Sequence, residues 1–184
     1  GNHSEGVPFE ITFNSIIPPG DYFGAFSFPG FQLKEGLVIT KAADDLAGCV
    51  MALGALIDLK KNKKAKAIGV FTRAEEVGFI GCLHMLRKKI LPASTYIISL
   101  EASKTLPGAL LGEGPVIRLG DASTLFDSKF SLFISKIAQE LKTKDASFKF
   151  QKRVMDGGSC EATAFSQFEY VTMGLAVPLR NYQN

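Results

Sequence analysis

From about Leu37 onward, apolar positions recur with two alternating periods. Residues 44–61, DDLAGCVMALGALIDLKK, carry Leu46, Val50, Leu53 and Ile57 at helical spacing. KAIGVFT (66–72) is a short apolar run that predicts a buried strand. FIGCLHMLRKK (79–89) reads as a second helix, with His84 as an ordinary part-buried histidine. STYIISLEAS (94–103) is a second strand, and Glu101 follows its apolar core YIISL. PVIRLGD (115–121) predicts a further short strand. DSKFSLFISKIAQELKTK (127–144) is an amphipathic helix with Phe130, Phe133, Ile134, Ile137 and Leu141 on one face. GSCEATAFSQF predicts a short helix, and YVTMGLAVPL a final strand. Strands alternating with helices imply βαβ units, hence an α/β fold with a mostly parallel sheet flanked by helices.

Residues 1–38 have another texture. They are rich in Phe, Pro and Gly (IIPPGDYFGAFSFPGFQ) and carry alternating runs such as FEITF. This predicts strands and turns, a partial β subdomain over 1–38 ahead of an α/β domain over 39–184.

Composition narrows the function classes. The 184 residues suffice for one substantial core. A net charge of +3 gives no argument for nucleic acid, and the basic run KKNKKAK (Lys60 to Lys66) reads as a solvated loop. No apolar run is long enough to span a bilayer, so no membrane role is expected. Cys49, Cys82 and Cys160 are widely spaced and form no CxxC pair, which predicts buried thiols in a reducing, cytoplasmic setting.

The acidic residues carry the chemistry. Asp44 and Asp45 precede the first helix, Glu75 and Glu76 follow the run at 66–72, and Glu161 lies in GGSCEA. A parallel sheet brings the carboxyl ends of its strands to one edge, where ligands gather. Each acid has a plainer explanation: Asp44-Asp45 and Glu75-Glu76 both suit first helical turns. Glu101 does not, because a carboxylate closing an apolar strand needs a partner. Like charges crowded at one edge repel unless a cation lies between them, and without one their pKa values should rise.

Four stretches together resemble the glutamyl-aminopeptidase-type (tetrahedral aminopeptidase) family of co-catalytic zinc metallopeptidases. KAADDLAG is similar to that family's Lys-Ala-x-Asp-Asp-Arg-x-Gly, and FTRAEEVGFIG to its Phe-Thr-x-x-Glu-Glu-Val-Gly-x-x-Gly. GEGPVI resembles its Gly-x-Gly-Pro, and DGGSCEA its Gly-Gly-Thr-Asp-Ala. The resemblance implies a zinc-peptidase-like fold and hydrolysis of N-terminal peptide bonds. It implies one or two zinc ions, with cobalt or manganese as alternatives. Asp44 would bridge the metals, Glu76 and Glu101 would each ligate one, and Glu75 would be the general base. Asp45, Gly158 and Glu161 would support the site or the substrate. Peptides would be the substrates, and residues 1–38 would contribute to homo-oligomer contacts.

The family also supplies two histidine ligands, and here the sequence departs from it. His3 in NHSEG is the candidate for the first, and Gln183 stands where the second belongs. A glutamine carbonyl is a weaker zinc ligand than imidazole. The alternative expectation is therefore a degenerate peptidase-like domain, with impaired metal binding, used in assembly or peptide binding. A phosphate-binding α/β domain is not supported, because GEGPVI lacks the required spacing and following helix.

Overall fold

The computed structural model describes residues 12–22, 27–28, 30–62 and 65–180. Two short strands, β1 (Gln32–Lys34) and β2 (Leu37–Ile39), form an antiparallel hairpin across Glu35-Gly36. Helix α1 (Ala43–Leu59) follows, then a run at 65–72 and helix α2 (Ile80–Arg87). The remainder is β3 (Tyr96–Lys104), β4 (Val116–Gly120), α3 (Ser128–Lys144), β5 (Gln151–Val154), α4 (Glu161–Gln167) and β6 (Val171–Leu179).

Four of these strands make one sheet in the order β3-β6-β4-β5. β3 runs parallel to β6, and β4 parallel to β5, whereas β4 and β6 are antiparallel. The sheet is therefore mixed, with parallel pairing dominant. Ile117 and Met173 are sealed beneath Phe130 and Ala138 of α3. A second cluster joins Cys82 and Leu86 of α2 to Ala164 and Phe165 of α4. No helix among the described residues is long and apolar enough to cross a membrane.

Several expectations are corrected. The run at 66–72 joins no strand ladder, and Ile68 and Phe71 are exposed. Periodicity identifies an apolar segment there, but a strand also needs a neighbour for its backbone groups. Leu46, Val50, Leu53 and Ile57 do share a helical stripe, yet they are 52%, 69%, 51% and 65% exposed. On α3, Phe130 and Ile134 enter the core while Phe133, Ile137 and Leu141 stay on the surface. β5 has no counterpart in the sequence pattern: QKRV carries three polar side chains at the sheet's outer edge, where one face meets solvent. His84 is exposed, in the last turn of α2. Cys82 and Cys160 are buried and Cys49 is half-buried, all three as free thiols.

Candidate metal and peptide site

The segment before α1 turns sharply. Ala42 adopts a left-handed conformation (φ 55°), the Asp44-Asp45 peptide bond is cis, and both aspartates depart from helical dihedrals. Regular helix begins only after them, and Asp45 caps it by accepting the Gly48 N–H through Oδ1 at 2.9 Å. Any side chain at 48 would collide with that carboxylate, since an added Cβ would lie 2.0 Å from Asp45 Oδ2. The capping role thus falls to Asp45 rather than to Asp44.

Glu75 and Glu76 are held differently from what a helix start implies. α2 begins at Ile80 with no acid in its first turn. The pair sits in a closed loop instead. Glu75 C=O accepts from Gly78 N–H at 3.1 Å and Phe79 N–H at 3.0 Å, while Arg73 C=O accepts from Gly81 N–H at 3.0 Å. Gly81 permits that approach, because a Cβ would meet Arg73 backbone at 2.7 Å. Ala74 and Phe79 take left-handed conformations at either side (φ 61° and 57°). Such strain in non-glycine residues costs about 1–2 kcal/mol each and concentrates at functional sites.

Glu101 lies inside β3, since that strand continues to Lys104. Ser99 Oγ donates to Glu101 Oε1 at 2.8 Å, and Arg118 NH1 stands 3.8 Å from Oε2. Arg118 comes from the middle of β4 and is almost wholly buried. Its Nε lacks a hydrogen-bond partner among the described residues.

Asp44, Glu75, Glu76 and Glu101 line one cavity of about 620 Å³, although they come from three separate stretches of chain. Arg118, Lys104 and the 155–160 loop, including Asp156 and Gly158, complete its wall. Asp45 and Glu161 are not among the lining residues but act on it electrostatically. Burial, the neighbouring Glu76, and the charges of Glu161, Asp44 and Asp45 push the Glu75 carboxyl up to about 7. Burial drives Glu101 up to about 7, against the Ser99 hydrogen bond and the Arg118 charge. Burial brings Asp45 up to about 6, opposed by the Gly48 N–H and reinforced by Asp44 and Glu161. Glu161 is also raised by burial, although a hydrogen bond from Thr72 opposes the shift. Burial is the main cause of these rises, and the mutual repulsion of the carboxylates adds to it at Glu75 and Asp45. That chemistry fits a bound cation. The fit lies in the donor set rather than in a finished cage: among the described residues no three His, Cys, Asp or Glu side chains converge tightly enough to hold an ion. His3 and Gln183 lie outside the described residues.

Sequence reasoning misses Arg118, Lys104 and Asp156. Arg118 does leave a signal, a lone charge within the apolar run PVIRLG. Lys104 and Asp156 leave none, because surface-type residues join this wall only through the fold.

Residues 12–182 match the M42 glutamyl aminopeptidase family. The chain belongs to that family. The solved structures agree in fold. A TET1 peptidase of Pyrococcus horikoshii, described as assembling into a tetrahedron or a large octahedral shell, superposes with a TM-score of 0.65 at 26% identity. That match covers 82% of this chain and 44% of the other. A dodecameric PhTET1 structure gives 0.66 at 27% identity, covering 84% of this chain and 46% of the other. A TET aminopeptidase from a marine-sediment Thaumarchaeota archaeon gives 0.68 at 21% identity, covering 82% and 44%, and supports the fold alone. This M42 chain thus spans about half the length of the solved relatives it matches. No curated relative matches it.

Proposed function

We infer that this M42 chain carries the carboxylate half of a metal-dependent aminopeptidase site that hydrolyses N-terminal peptide bonds. The observation that carries the reading is the meeting of Asp44, Glu75, Glu76 and Glu101 on one cavity. Asp44, Glu76 and Glu101 are the residues that would hold the metal, zinc in the first instance, with cobalt or manganese as substitutes. His3 and Gln183 are the candidates for the remaining ligands. When bound, the metal supplies Lewis-acid polarisation of the scissile carbonyl and a lowered pKa for the attacking water.

The chain's own groups do the rest. Glu75 lines the same cavity and would accept a proton from the attacking water and return it to the leaving amine. Its loop fixes its backbone on both sides, so the carboxyl is presented without a large ordering cost. Ser99 and Arg118 hold Glu101 in place. Residues 155–160 shape the wall against which a peptide would lie. By analogy with the dodecameric and tetrahedral assemblies of the TET relatives, the protein would self-associate, with the segment that carries β1 contributing to the contacts.

The test is metal content per chain after zinc incubation and gel filtration, with Glu76→Ala alongside, followed by trialanine hydrolysis. Zinc bound by the wild type, lost in Glu76→Ala, and hydrolysis lost in Glu75→Gln would support the reading. No bound zinc and no hydrolysis would leave the non-catalytic peptidase-like domain as the better account.

A further inference from the structure

We propose that Asp121 is a positioning residue whose two carboxylate oxygens clamp the 156–160 wall of the cavity to the end of β4. Asp121 immediately follows β4 and is almost fully buried. Its Oδ1 accepts from its own turn, Ser123 N–H at 2.9 Å and Thr124 N–H at 3.0 Å. Its Oδ2 reaches across to the opposite segment, accepting from Cys160 N–H at 3.0 Å and Thr163 Oγ1 at 2.5 Å. Ala122 N–H donating to Gly158 C=O at 3.1 Å and Met155 N–H donating to Gly120 C=O at 3.0 Å close the same seam. Ser123 and Ser159 hydroxyls join it.

The clamped segment needs such an anchor. It contains Gly157 and Gly158, and a Cβ at either would meet nothing within 4 Å, so neighbouring atoms do little to confine it. Burial favours the neutral acid, but the hydrogen bonds from Thr163, Ser123, Cys160 and Thr124 outweigh it and hold Asp121 below the usual carboxylate range. Bonds to an ionised acceptor are the stronger kind. Residues 156–160 all line the cavity, so the clamp fixes the surface a ligand meets without itself touching that ligand.

The division of labour between the oxygens makes the clamp separable from the turn. Asp121→Asn keeps one oxygen for one side and presents an amide to the other, leaving donors facing donors. Thr163→Val removes only the hydroxyl bond to Oδ2 and leaves the Cys160 bond in place, and Thr163→Ser retains both. The clamp's link to turnover rests on the aminopeptidase reading; the clamp itself does not. The experiment is exchange of the Cys160 backbone amide, the one that Asp121 accepts, in metal-free protein, with KM and kcat on trialanine measured on the zinc-loaded protein. For Asp121→Asn and Thr163→Val, exchange at the Cys160 amide should accelerate about tenfold, the effect of losing about 1.4 kcal/mol. Exchange in β6 should not change, KM should rise more than kcat falls, and Thr163→Ser should restore wild-type behaviour. Wild-type exchange at the Cys160 amide in Asp121→Asn would overturn the proposal. So would acceleration spread equally into β6, which marks a scaffold role only. If no chain hydrolyses trialanine, the aminopeptidase reading fails while the exchange result still decides the clamp.

Discussion

Two regions of this molecule both carry apolar patterns in sequence and are unequally held in structure. From Tyr96 to Leu179 every strand has a ladder partner, and Ile117, Val116 and Met173 are sealed from solvent. Along α1 and the run at 65–72, Leu46, Val50, Leu53, Ile57, Ile68 and Phe71 are exposed, and the run has no ladder. An apolar pattern states which face an element offers; whether that face is buried depends on what else is present to cover it. The candidate site straddles the two regions. Glu101 and Arg118 come from the paired sheet, while Asp44, Glu75 and Glu76 come from the less covered side.

The largest effect expected is chemical. Glu75→Gln should lower kcat by about 10²–10⁴-fold, the usual contribution of a positioned general base, with bound zinc unchanged. Loss of zinc together with rate would show that Glu75 is a ligand, and the division of roles between Glu75 and Glu76 would be wrong.

Stability tests the comparison directly. Ile117→Ala should destabilise by about 2–5 kcal/mol, because it opens a cavity under α3. Leu53→Ala on the exposed stripe of α1 should change stability by no more than about 0.5 kcal/mol. Urea midpoints measured on both variants decide the matter. Equal losses would mean that the α1 stripe is covered in solution and that the two regions are held alike.

Elements are more legible in the sequence than the burial of their faces. The elements α1, α2, β3, β4, α3, α4 and β6 can all be read from their apolar periodicity. β5 cannot, since an edge strand with polar alternate positions resembles a loop. The run at 66–72 misleads because apolar content does not by itself imply pairing. The carboxylates are legible as residues, and four of them line one cavity. Their supports are not. Asp121, Ser99 and the Gly81–Arg73 contact act through distances that no single-sequence pattern encodes.

Acid titration separates the regions through the site itself. Glu101 and Glu75 have folded pKa values raised from 4.5 to about 7. For such groups the stabilising contribution is complete below the unfolded value and is lost as pH rises through the folded one. Metal-free protein should therefore be less stable at pH 8 than at pH 5, with the change between about 4.5 and 7. Roughly 2 kcal/mol is expected from buried Glu101, and less from the more open Glu75. Thermal midpoints across this range in a chelating buffer test it; a flat profile would mean that the carboxyls are already relieved by contacts with other groups. Glu101→Gln should reduce the slope, with Glu75, Asp45 and Glu161 accounting for what remains.

The smallest effect is expected at Ala74, on the less covered side. Its φ of 61° is a conformation that glycine adopts without penalty. Ala74→Gly relieves a left-handed cost of about 1–2 kcal/mol but adds freedom to the unfolded chain worth about 0.4–1 kcal/mol. The net change should be a stabilisation of about 0.5 kcal/mol, read as a small rise in urea midpoint. The same substitution loosens the turn that presents Glu75. If that turn matters for positioning, kcat should fall even as the midpoint rises. A rise in both would mean that the strain at Ala74 contributes nothing to the reaction, and that the loop's hydrogen bonds alone hold Glu75 where it is needed.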